Sequence, residues 1–251
     1  MKENVLIVGA CCSFGSVLTD SILSEYDGVI LTEQKSKETE LNYLAEKLNL
    51  KYPEKQIYTS IINIKDTKQI AERILELENK NINIDKMVFC AGLNIITGAL
   101  EVTEEIWDEI LDVNLKGYFF VVKAVIASML RKGIRGSIVA VASQHAVVAN
   151  YNRAPYCAAK AGEVHLSKEL AMEFAEDGIR INVVSPSYIK SAANENLLNT
   201  ARSKKEYLNQ IVLKRYAVPE DIANAVIFLL SDKSDYLTGV NLLVDGGYTI
   251  K

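Results

Sequence analysis

A tyrosine and a lysine stand one helical turn apart, at Tyr156 and Lys160, in the stretch APYCAAKAG. The alanines around them favour a helix, and Pro155 suits its first turn. Two side chains four residues apart are neighbours on one helix face. An ammonium beside a phenol favours the phenolate, which would make Tyr156 a usable general acid or base. On this stretch alone, an accidental pair on an exposed helix is the favoured interpretation.

A glycine-rich turn follows the first apolar run of the chain. Gly9 and Gly15 bound the sequence GACCSFG, which opens a helix. Such a turn lets backbone N–H groups approach a pyrophosphate at the helix N-terminus, although two glycines alone are a weak signal. Glu33 ends the second apolar run, and a carboxylate there can accept hydrogen bonds from ribose hydroxyls and repel a 2′-phosphate. We therefore favour NAD(H) as cofactor, while NADP(H) is not excluded because Lys35 and Lys37 lie near.

The element pattern alternates from end to end. Short apolar runs dense in Val, Ile and Leu predict buried strands at 4–10, 28–33, 56–62, 86–92, 136–143, 179–186 and 240–247. Helical segments lie between them at 13–25, 36–49, 66–80, 103–131, 154–177 and 219–231. This alternation predicts right-handed βαβ crossovers and a parallel sheet covered on both faces. Since no linker, repeat or composition break interrupts it, we predict one domain over residues 1–251.

Composition restricts the possible partners. The chain has 251 residues, 49% of them hydrophobic and 24% charged, as expected for a globular protein with a substantial core. A net charge of −4 without blocks of like charge argues against nucleic acid as a partner. We find neither a signal peptide nor an apolar stretch near the roughly 20 residues that span a bilayer, so we predict a cytoplasmic protein that does not bind membranes.

The four cysteines, Cys11, Cys12, Cys90 and Cys157, show no metal-ligand spacing. We therefore predict reduced cysteines and no metal site. The segment at about 187–214 is polar, mixed in charge and weakly periodic, and it follows a strand end. Ligands of open α/β sheets bind at the carboxyl ends of strands, so this segment is a candidate substrate lid. The alternative is a surface helical hairpin without a role.

Several separated motifs together resemble those of the short-chain dehydrogenase/reductase family, over essentially the whole chain. The glycine-rich motif corresponds to Gly9, Ser13 and Gly15, and the Tyr-x-x-x-Lys motif to Tyr156 and Lys160. The family's serine, thirteen residues before the tyrosine, falls on Ser143, and its helix-borne asparagine on Asn114. The resemblance implies a single Rossmann-type, doubly wound α/β domain. Its seven-stranded parallel sheet would have the order 3-2-1-4-5-6-7, with helices on both faces.

The resemblance also implies roles for these residues. Tyr156 would pass the proton to or from the substrate oxygen, and Lys160 would support the phenolate and bind the nicotinamide ribose. Ser143 would hydrogen-bond the same oxygen, and Asn114 would hold a water that links Lys160 to solvent. The alternatives are a buried hydroxyl for Ser143 and a helix-packing amide for Asn114. The implied cofactor contacts are Gly9, Cys12, Ser13, Phe14, Gly15, Glu33, Asn63, Ile64, Cys90, Ala91, Gly92, Tyr156, Lys160, Pro186, Ser187, Ile189 and Ser191.

The chain departs from the family pattern at several cofactor positions. Ser13 and Ser187 replace glycines, Asn63 replaces an aspartate, and Phe89-Cys90 replaces two asparagines. None of these changes removes a catalytic group. We therefore predict a working enzyme with altered cofactor affinity.

The predicted substrate contacts are Asn94, Ser143, His145, Arg153 and Tyr156. Buried polar groups reject substrates that leave them unpaired, so this set favours a small polar substrate such as a polyol, a sugar derivative or a hydroxy acid. Two alternatives stay open. One is a 3-oxoacyl carrier-protein reductase that uses NADPH, and the other is a non-catalytic dinucleotide-binding protein. The resemblance further implies a homotetramer or homodimer.

Overall fold

The computed structural model describes residues 3–191 and 194–250, and within them one parallel sheet has the order β3-β2-β1-β4-β5-β6-β7. Its strands are β1 (Asn4–Val8), β2 (Gly28–Glu33), β3 (Gln56–Ile61), β4 (Lys86–Phe89), β5 (Ser137–Val141), β6 (Arg180–Pro186) and β7 (Asn241–Val244). The helices are α1 (Gly15–Glu25), α2 (Glu38–Lys51), α3 (Thr67–Asn79), α4 (Glu104–Leu111), α5 (Gly117–Lys132), α6 (Ala154–Glu173), α7 (Glu195–Leu198), α8 (Ala201–Glu206) and α9 (Pro219–Leu230). The predicted fold class and strand order are confirmed.

Helices cover both faces of the sheet. Successive residues of a strand point to opposite faces, so each strand packs against helices on both sides. In β1, Val5 and Ile7 join a buried cluster with α1, α2 and α9. Leu6 and Val8 join a second cluster with α3, α5 and α6. Both faces of β1 are therefore buried, which explains the continuous Val, Ile and Leu run in its sequence.

Five strands end earlier than predicted: β1, β3 and β7 end at Val8, Ile61 and Val244, against predicted ends at residues 10, 62 and 247, and β4 and β5 are also shorter. The ladder of β4 stops at Phe89 and that of β5 at Val141, whereas the apolar runs predict strands to residues 92 and 143. The residues that follow have left the sheet and line a cavity at its carboxyl edge. The prediction was too long because small apolar residues continue past the last backbone pair.

The predicted helix over 103–131 is not regular. A π-helical turn at Asp112–Lys116 separates α4 from α5. At Gly117 a β-carbon would lie 3.0 Å from the Asp112 carbonyl oxygen and 3.1 Å from that of Ile64, so the absence of a side chain permits this close passage. The wider turn brings Asn114 inside the protein, where it is fully buried. A π-turn inside an α-helix often marks a functional position.

The same helical run, Glu104–Lys132, is long and apolar enough to cross a membrane by length and composition. Its apolar side chains pack in the protein core: Val121, Val125 and Met129 are buried against the sheet and α3. Half of its most apolar window is buried in the protein. We therefore interpret it as a core helix.

The candidate lid at 187–214 contains α7, α8 and a 3₁₀ turn at Leu208–Gln210, while residues 192 and 193 lie outside the described part. Leu198, Ile211 and Tyr216 form a small buried cluster in this segment. The Tyr216 hydroxyl donates to the carbonyl oxygen of Leu198 at 3.1 Å. The segment thus has packing of its own, and its function as a lid stays a prediction.

A buried hydrogen bond ties the two long helices together. The Ser167 hydroxyl donates to the Glu163 carbonyl oxygen at 2.7 Å, so Tyr118 donates to Ser167, also at 2.7 Å. We predict that Tyr118→Phe lowers the free energy of unfolding by about 1 kcal/mol, because it leaves a buried acceptor unpaired. Denaturant unfolding measures this. Tyr43→Phe removes a hydroxyl from a side chain that is 71% exposed and should change nothing; equal effects of the two changes would contradict the prediction.

Candidate active site

A cavity of about 700 Å³ lies at the carboxyl edge of the sheet. This is where open parallel sheets bind ligands. The predicted site residues that line it are Gly9, Cys12, Ser13, Phe14, Glu33, Asn63, Ile64, Cys90, Ala91, Gly92, Asn94, Ser143, His145, Arg153, Tyr156, Lys160, Pro186, Ser187 and Ile189. Gly15, Asn114 and Ser191 are not among the lining residues. The structure therefore brings most of the predicted site together in one place.

The glycine-rich turn forms the floor of the nucleotide side. Gly9 has a positive φ of 83°, and a β-carbon there would lie 2.8 Å from the Ala91 backbone nitrogen. A β-carbon on Gly15 would collide with the Ala10 carbonyl oxygen, so the start of α1 packs closely there, and the predicted cofactor contact of Gly15 stays a prediction. Ser13 is exposed on the cavity side, so the turn accommodates its side chain. The N-terminus of α1 thus points into an open cradle that fits a phosphate group.

Glu33 is held against this turn. Its Oε1 accepts the Cys11 backbone N–H at 2.9 Å and its Oε2 accepts that of Gln34 at 3.3 Å. The side chain is largely buried at the end of β2 yet lines the cavity. Lys37 lines the same wall. The carboxylate is therefore positioned by backbone donors and retains lone pairs for a hydroxyl.

Cys90, one of the departures from the family pattern, contacts Cys12 of the glycine-rich turn. A hydrogen bond from Cys90 lowers the pKa of the Cys12 thiol, and the same bond together with burial raises the pKa of Cys90. Cys90 thus braces the glycine-rich turn from the end of β4. Cys11, Cys12, Cys90 and Cys157 are all free thiols.

Tyr156 and Lys160 face the cavity from the first two turns of α6. Tyr156 is half-buried, whereas Lys160 is only 2% exposed. The Lys160 ammonium donates to the Val141 carbonyl oxygen at 3.2 Å and to the Glu163 carboxylate at 2.7 Å. Burial lowers the pKa of Lys160, but Glu163 and Tyr156 outweigh this and raise it. Lys160 is therefore a charged group throughout the neutral range.

Asn114 braces the loop after β4. Its amide nitrogen donates to the Leu93 and Ile110 carbonyl oxygens, both at 2.8 Å, and its oxygen accepts the Leu93 N–H at 3.2 Å. A β-carbon on Gly92 would lie 3.2 Å from this oxygen and 3.7 Å from the Lys160 nitrogen. These hydrogen bonds are compatible with both the predicted role and the packing amide that was the alternative. Its role in a water relay stays a prediction.

Ser143 follows β5 at the start of the 3₁₀ turn Gln144–Ala146. Its hydroxyl oxygen accepts the His145 backbone N–H at 3.1 Å, which leaves the hydroxyl hydrogen for another acceptor. The side chain lines the cavity and is 7% exposed. Its predicted hydrogen bond to the substrate oxygen stays a prediction.

His145 and Arg153 form the substrate-side wall. Burial, together with the nearby Arg153 charge, lowers the pKa of His145 to about 4, so the imidazole is neutral at physiological pH. Its Nδ1 has no hydrogen-bond partner among the described residues. Arg153 is 6% exposed and donates one Nη1 hydrogen to the Tyr151 carbonyl oxygen at 2.9 Å. The wall thus combines a neutral imidazole with a buried cation.

An aromatic wall was missed by the sequence analysis. Tyr188 stacks on Tyr207 with ring centroids 4.2 Å apart, and it meets Tyr248 and His145 edge-on at 6.1 and 6.2 Å. The Asn150 amide donates to the Tyr188 hydroxyl at 3.0 Å. These rings are far apart in the sequence, so no spacing predicts the cluster.

Ser191 lies beside this wall and not in the cavity lining. Its N–H donates to the Asn194 side chain at 2.8 Å, and its hydroxyl has no partner among the described residues. Within residues 3–191 and 194–250, no group of three or more His, Cys, Asp or Glu side chains could hold a metal ion.

A doubly wound parallel sheet with a phosphate cradle and a Tyr–Lys pair defines a nucleotide-binding oxidoreductase of Rossmann type. A family model described as Enoyl-(Acyl carrier protein) reductase matches residues 9–249. The chain belongs to the short-chain dehydrogenase/reductase family, as its motifs predicted. It is accordingly a member of a family of NAD(P)-dependent oxidoreductases.

Curated relatives include the 3-oxoacyl-(acyl-carrier-protein) reductase FabG of Thermotoga maritima. It is 34% identical over 245 residues, which cover 98% of this chain and 97% of the relative. The protein of the same name from Buchnera aphidicola subsp. Schizaphis graminum is 37% identical over 197 residues, covering 78% of this chain and 80% of the relative. Among solved structures, a gluconate 5-dehydrogenase from Burkholderia cenocepacia in complex with NADP and tartrate has a TM-score of 0.92 and 25% identity. The match covers 99% of this chain and 96% of that one.

The neutral state of His145 makes stability depend on pH. Its pKa in the folded protein, about 4, lies below the ordinary 6.5, so the unfolded chain binds the proton first as pH falls. We predict that lowering the pH from 7 to 5 decreases the free energy of unfolding of the wild type by about 2 kcal/mol more than that of His145→Gln. Denaturant unfolding at both pH values measures this. The exposed His165→Gln should follow the wild type, and a His145→Gln variant with the wild-type pH dependence would contradict the prediction.

Proposed function

We propose that this chain transfers a hydride between a nicotinamide nucleotide and the carbon of a ketone or secondary alcohol, with Tyr156 as the proton donor or acceptor. The observation that carries the proposal is the arrangement of Ser143, Tyr156 and Lys160 in one cavity beside the phosphate cradle of the glycine-rich turn. The same cavity therefore has room for a nucleotide and for a substrate oxygen.

The chain's own groups account for the proton and for the developing charge. The bound nucleotide supplies or accepts the hydride. During reduction, Tyr156 gives its hydroxyl proton to the substrate oxygen, and Ser143 donates a hydrogen bond to that oxygen as its negative charge grows. Lys160 stabilises the phenolate that is left on Tyr156. In oxidation, the phenolate takes the proton back.

As substrate we propose a 3-oxoacyl thioester. The support is the name shared by relatives that are 32–37% identical to this chain, several of them over 96–98% of its length. These relatives favour the 3-oxoacyl alternative over the small polar substrate that the sequence analysis placed first. A carrier protein would dock on cations, and Lys204 and Lys205 are exposed on α8, in the segment that follows β6. Arg202 and Arg215 in the same region are paired with Glu206 and Asp221.

A small hydroxy acid is the second candidate, and Arg153 favours it. This guanidinium is buried in the cavity wall, where a bidentate pair with a carboxylate would be strong. The related gluconate 5-dehydrogenase structure holds tartrate, which is itself a hydroxy acid. A thioester has no carboxylate for Arg153, so the two substrates differ at this residue.

For the cofactor we propose NAD(H), on the local geometry at Glu33. Its carboxylate lies at the end of β2, where it can accept the hydrogens of ribose hydroxyls and repel a 2′-phosphate. The related gluconate 5-dehydrogenase binds NADP, so the fold alone does not favour NAD(H). The preference of this chain for NAD(H) or NADP(H) therefore depends on the residues at the end of β2, Glu33 above all.

The assembly and location also stay proposals. Apolar side chains are exposed on the helices that the family resemblance implies for subunit contacts, among them Trp107 on α4 and Met172 on α6. This supports a homodimer or homotetramer. The predicted cytoplasmic location stays a prediction.

Turnover tests the proposed role of Tyr156. We predict that Tyr156→Phe lowers kcat by about 10²–10⁴-fold and leaves nucleotide binding nearly unchanged, because only the proton transfer is lost. The assay follows NADH absorbance with acetoacetyl thioesters and with 2-hydroxy acids. Tyr151→Phe, at a side chain 88% exposed, is the matched control. If the wild type binds NADH without turning over either substrate class, the non-catalytic alternative is correct.

A charge-removing change tests the cofactor proposal. Glu33→Gln keeps an oxygen for the Cys11 N–H but removes the negative charge, so we predict about tenfold tighter NADPH binding, equivalent to about 1.4 kcal/mol. Nicotinamide fluorescence titrations with NADH and NADPH measure this. Glu46→Gln neutralises an exposed carboxylate in the middle of α2 and should have no effect. A wild type that binds NADPH more tightly than NADH would show that Glu33 does not select the nucleotide.

A further inference from the structure

We propose that Glu163 is a positioning residue of the active site, which holds the Lys160 ammonium in place and offsets its charge as felt by Tyr156. The inference rests on the proposed roles of Tyr156 and Lys160. Glu163 lies outside every motif that the sequence analysis used. It is not a lining residue of the cavity, so it acts only through Lys160.

The contact is short and completely buried. Glu163 Oε2 lies 2.7 Å from the Lys160 ammonium nitrogen, and Glu163 is fully buried while Lys160 is 2% exposed. An ammonium has three hydrogens, of which one goes to Glu163 and one to the Val141 carbonyl. The ammonium therefore has a fixed direction, with one hydrogen left for a ligand.

Lysine–glutamate and arginine–glutamate pairs at this helical spacing are ordinarily solvent-exposed and weak. The same chain provides two such pairs, Lys35–Glu38 and Arg73–Glu76, whose side chains are at least 39% exposed. The Lys160–Glu163 pair has the same spacing without the solvent. Its charges are therefore poorly screened and act at full strength on their neighbours.

One oxygen of this carboxylate has no partner. Glu163 Oε1 is buried and accepts no hydrogen bond from the described residues. Burial raises the pKa of Glu163 to about 7, against the lowering effect of Lys160. A fully packed structural ion pair would satisfy both oxygens, since a buried unpaired oxygen is costly. The arrangement thus allows the carboxyl to change its charge near neutral pH.

Among the described residues, Lys160 is the charged group that acts on Glu163. On its own helix the titratable neighbours are Lys160 and, beyond it, Tyr156. From α5 comes the neutral Tyr118, and from the end of β4 comes Cys90, whose pKa is raised. No other charge compensates for Glu163, so its ionisation is felt by the Lys160–Tyr156 pair.

The consequence concerns the phenolate of Tyr156. With Glu163 ionised, the positive charge of Lys160 is balanced and supports the phenolate less. With Glu163 uncharged, the ammonium remains hydrogen-bonded to Val141 and acts on Tyr156 alone. Removal of the carboxylate should therefore let the phenolate form at lower pH.

The experiment compares the wild type with Glu163→Gln, which keeps the size and a hydrogen-bond acceptor but loses the charge. The first readout is an ultraviolet difference titration against the corresponding Tyr156→Phe protein, which isolates the ionisation of Tyr156 without any substrate. We expect the midpoint to fall by about one pH unit, a tenfold change in the ionised fraction. Glu76→Gln, which breaks the exposed pair with Arg73, should not move it.

The second readout is the pH profile of alcohol oxidation, whose acidic limb should move down by a similar amount while the dissociation constant of NADH changes little. If Glu163→Gln does not fold, Glu163→Asp decides, because it withdraws the charge by one methylene and should shift the midpoint partly. An unchanged midpoint, or one that moves to higher pH, overturns the inference. Absence of turnover in the wild type overturns only the proposed function, because the titration needs no reaction.

Discussion

The Lys160 ammonium lies in the interior of the protein, and its burial constrains the positions of the groups around it. A buried charge is costly unless it is paired and hydrogen-bonded. Here the last residue of β5 supplies a carbonyl and the next turn of α6 supplies a carboxylate. Because these partners come from two different elements, the helix that carries Tyr156 has a fixed position relative to the strand end that carries Ser143.

The rest of the site is arranged so that this charge can be approached. A β-carbon on Gly92 would lie in ordinary van der Waals contact with the ammonium nitrogen, at 3.7 Å, and closer to the Asn114 side-chain oxygen, at 3.2 Å. Asn114 holds the loop that contains Gly92, and the π-turn at Asp112–Lys116 is what places Asn114 inside. The Tyr118–Ser167 hydrogen bond anchors α6 one turn beyond Glu163. The loop after β4 and the end of β5 therefore converge on the Lys160 ammonium, beside the cavity that Tyr156 and Ser143 also line.

The sequence was sufficient for the fold and for the residues whose spacing has a geometric meaning. Strand order follows from the alternation of apolar runs and amphipathic helices together with the family resemblance. The Tyr156–Lys160 spacing is a helix property, and Glu33 follows from its place at a strand end. Glu163 has a visible spacing to Lys160 as well, but an i,i+3 pair looks the same in sequence whether it is exposed or buried. The π-turn and the aromatic wall around Tyr188 depend on tertiary packing, so no local pattern predicts them.

Reaction type and specificity are carried by different parts of this cavity. The groups that we propose for the reaction lie on α6 and directly after β5, whose relative position is fixed by buried hydrogen bonds, so family membership is informative about the chemistry. The wall that meets the rest of the substrate comes from residues 144–153 and from the segment after β6, including His145, Arg153 and Tyr188. These side chains are not required to hold the Lys160 ammonium, and they can vary among relatives without loss of the catalytic geometry. A shared name among relatives is therefore stronger support for ketone reduction than for any one acyl or hydroxy-acid substrate, and the buried Arg153 is the residue at which the two proposed substrates differ.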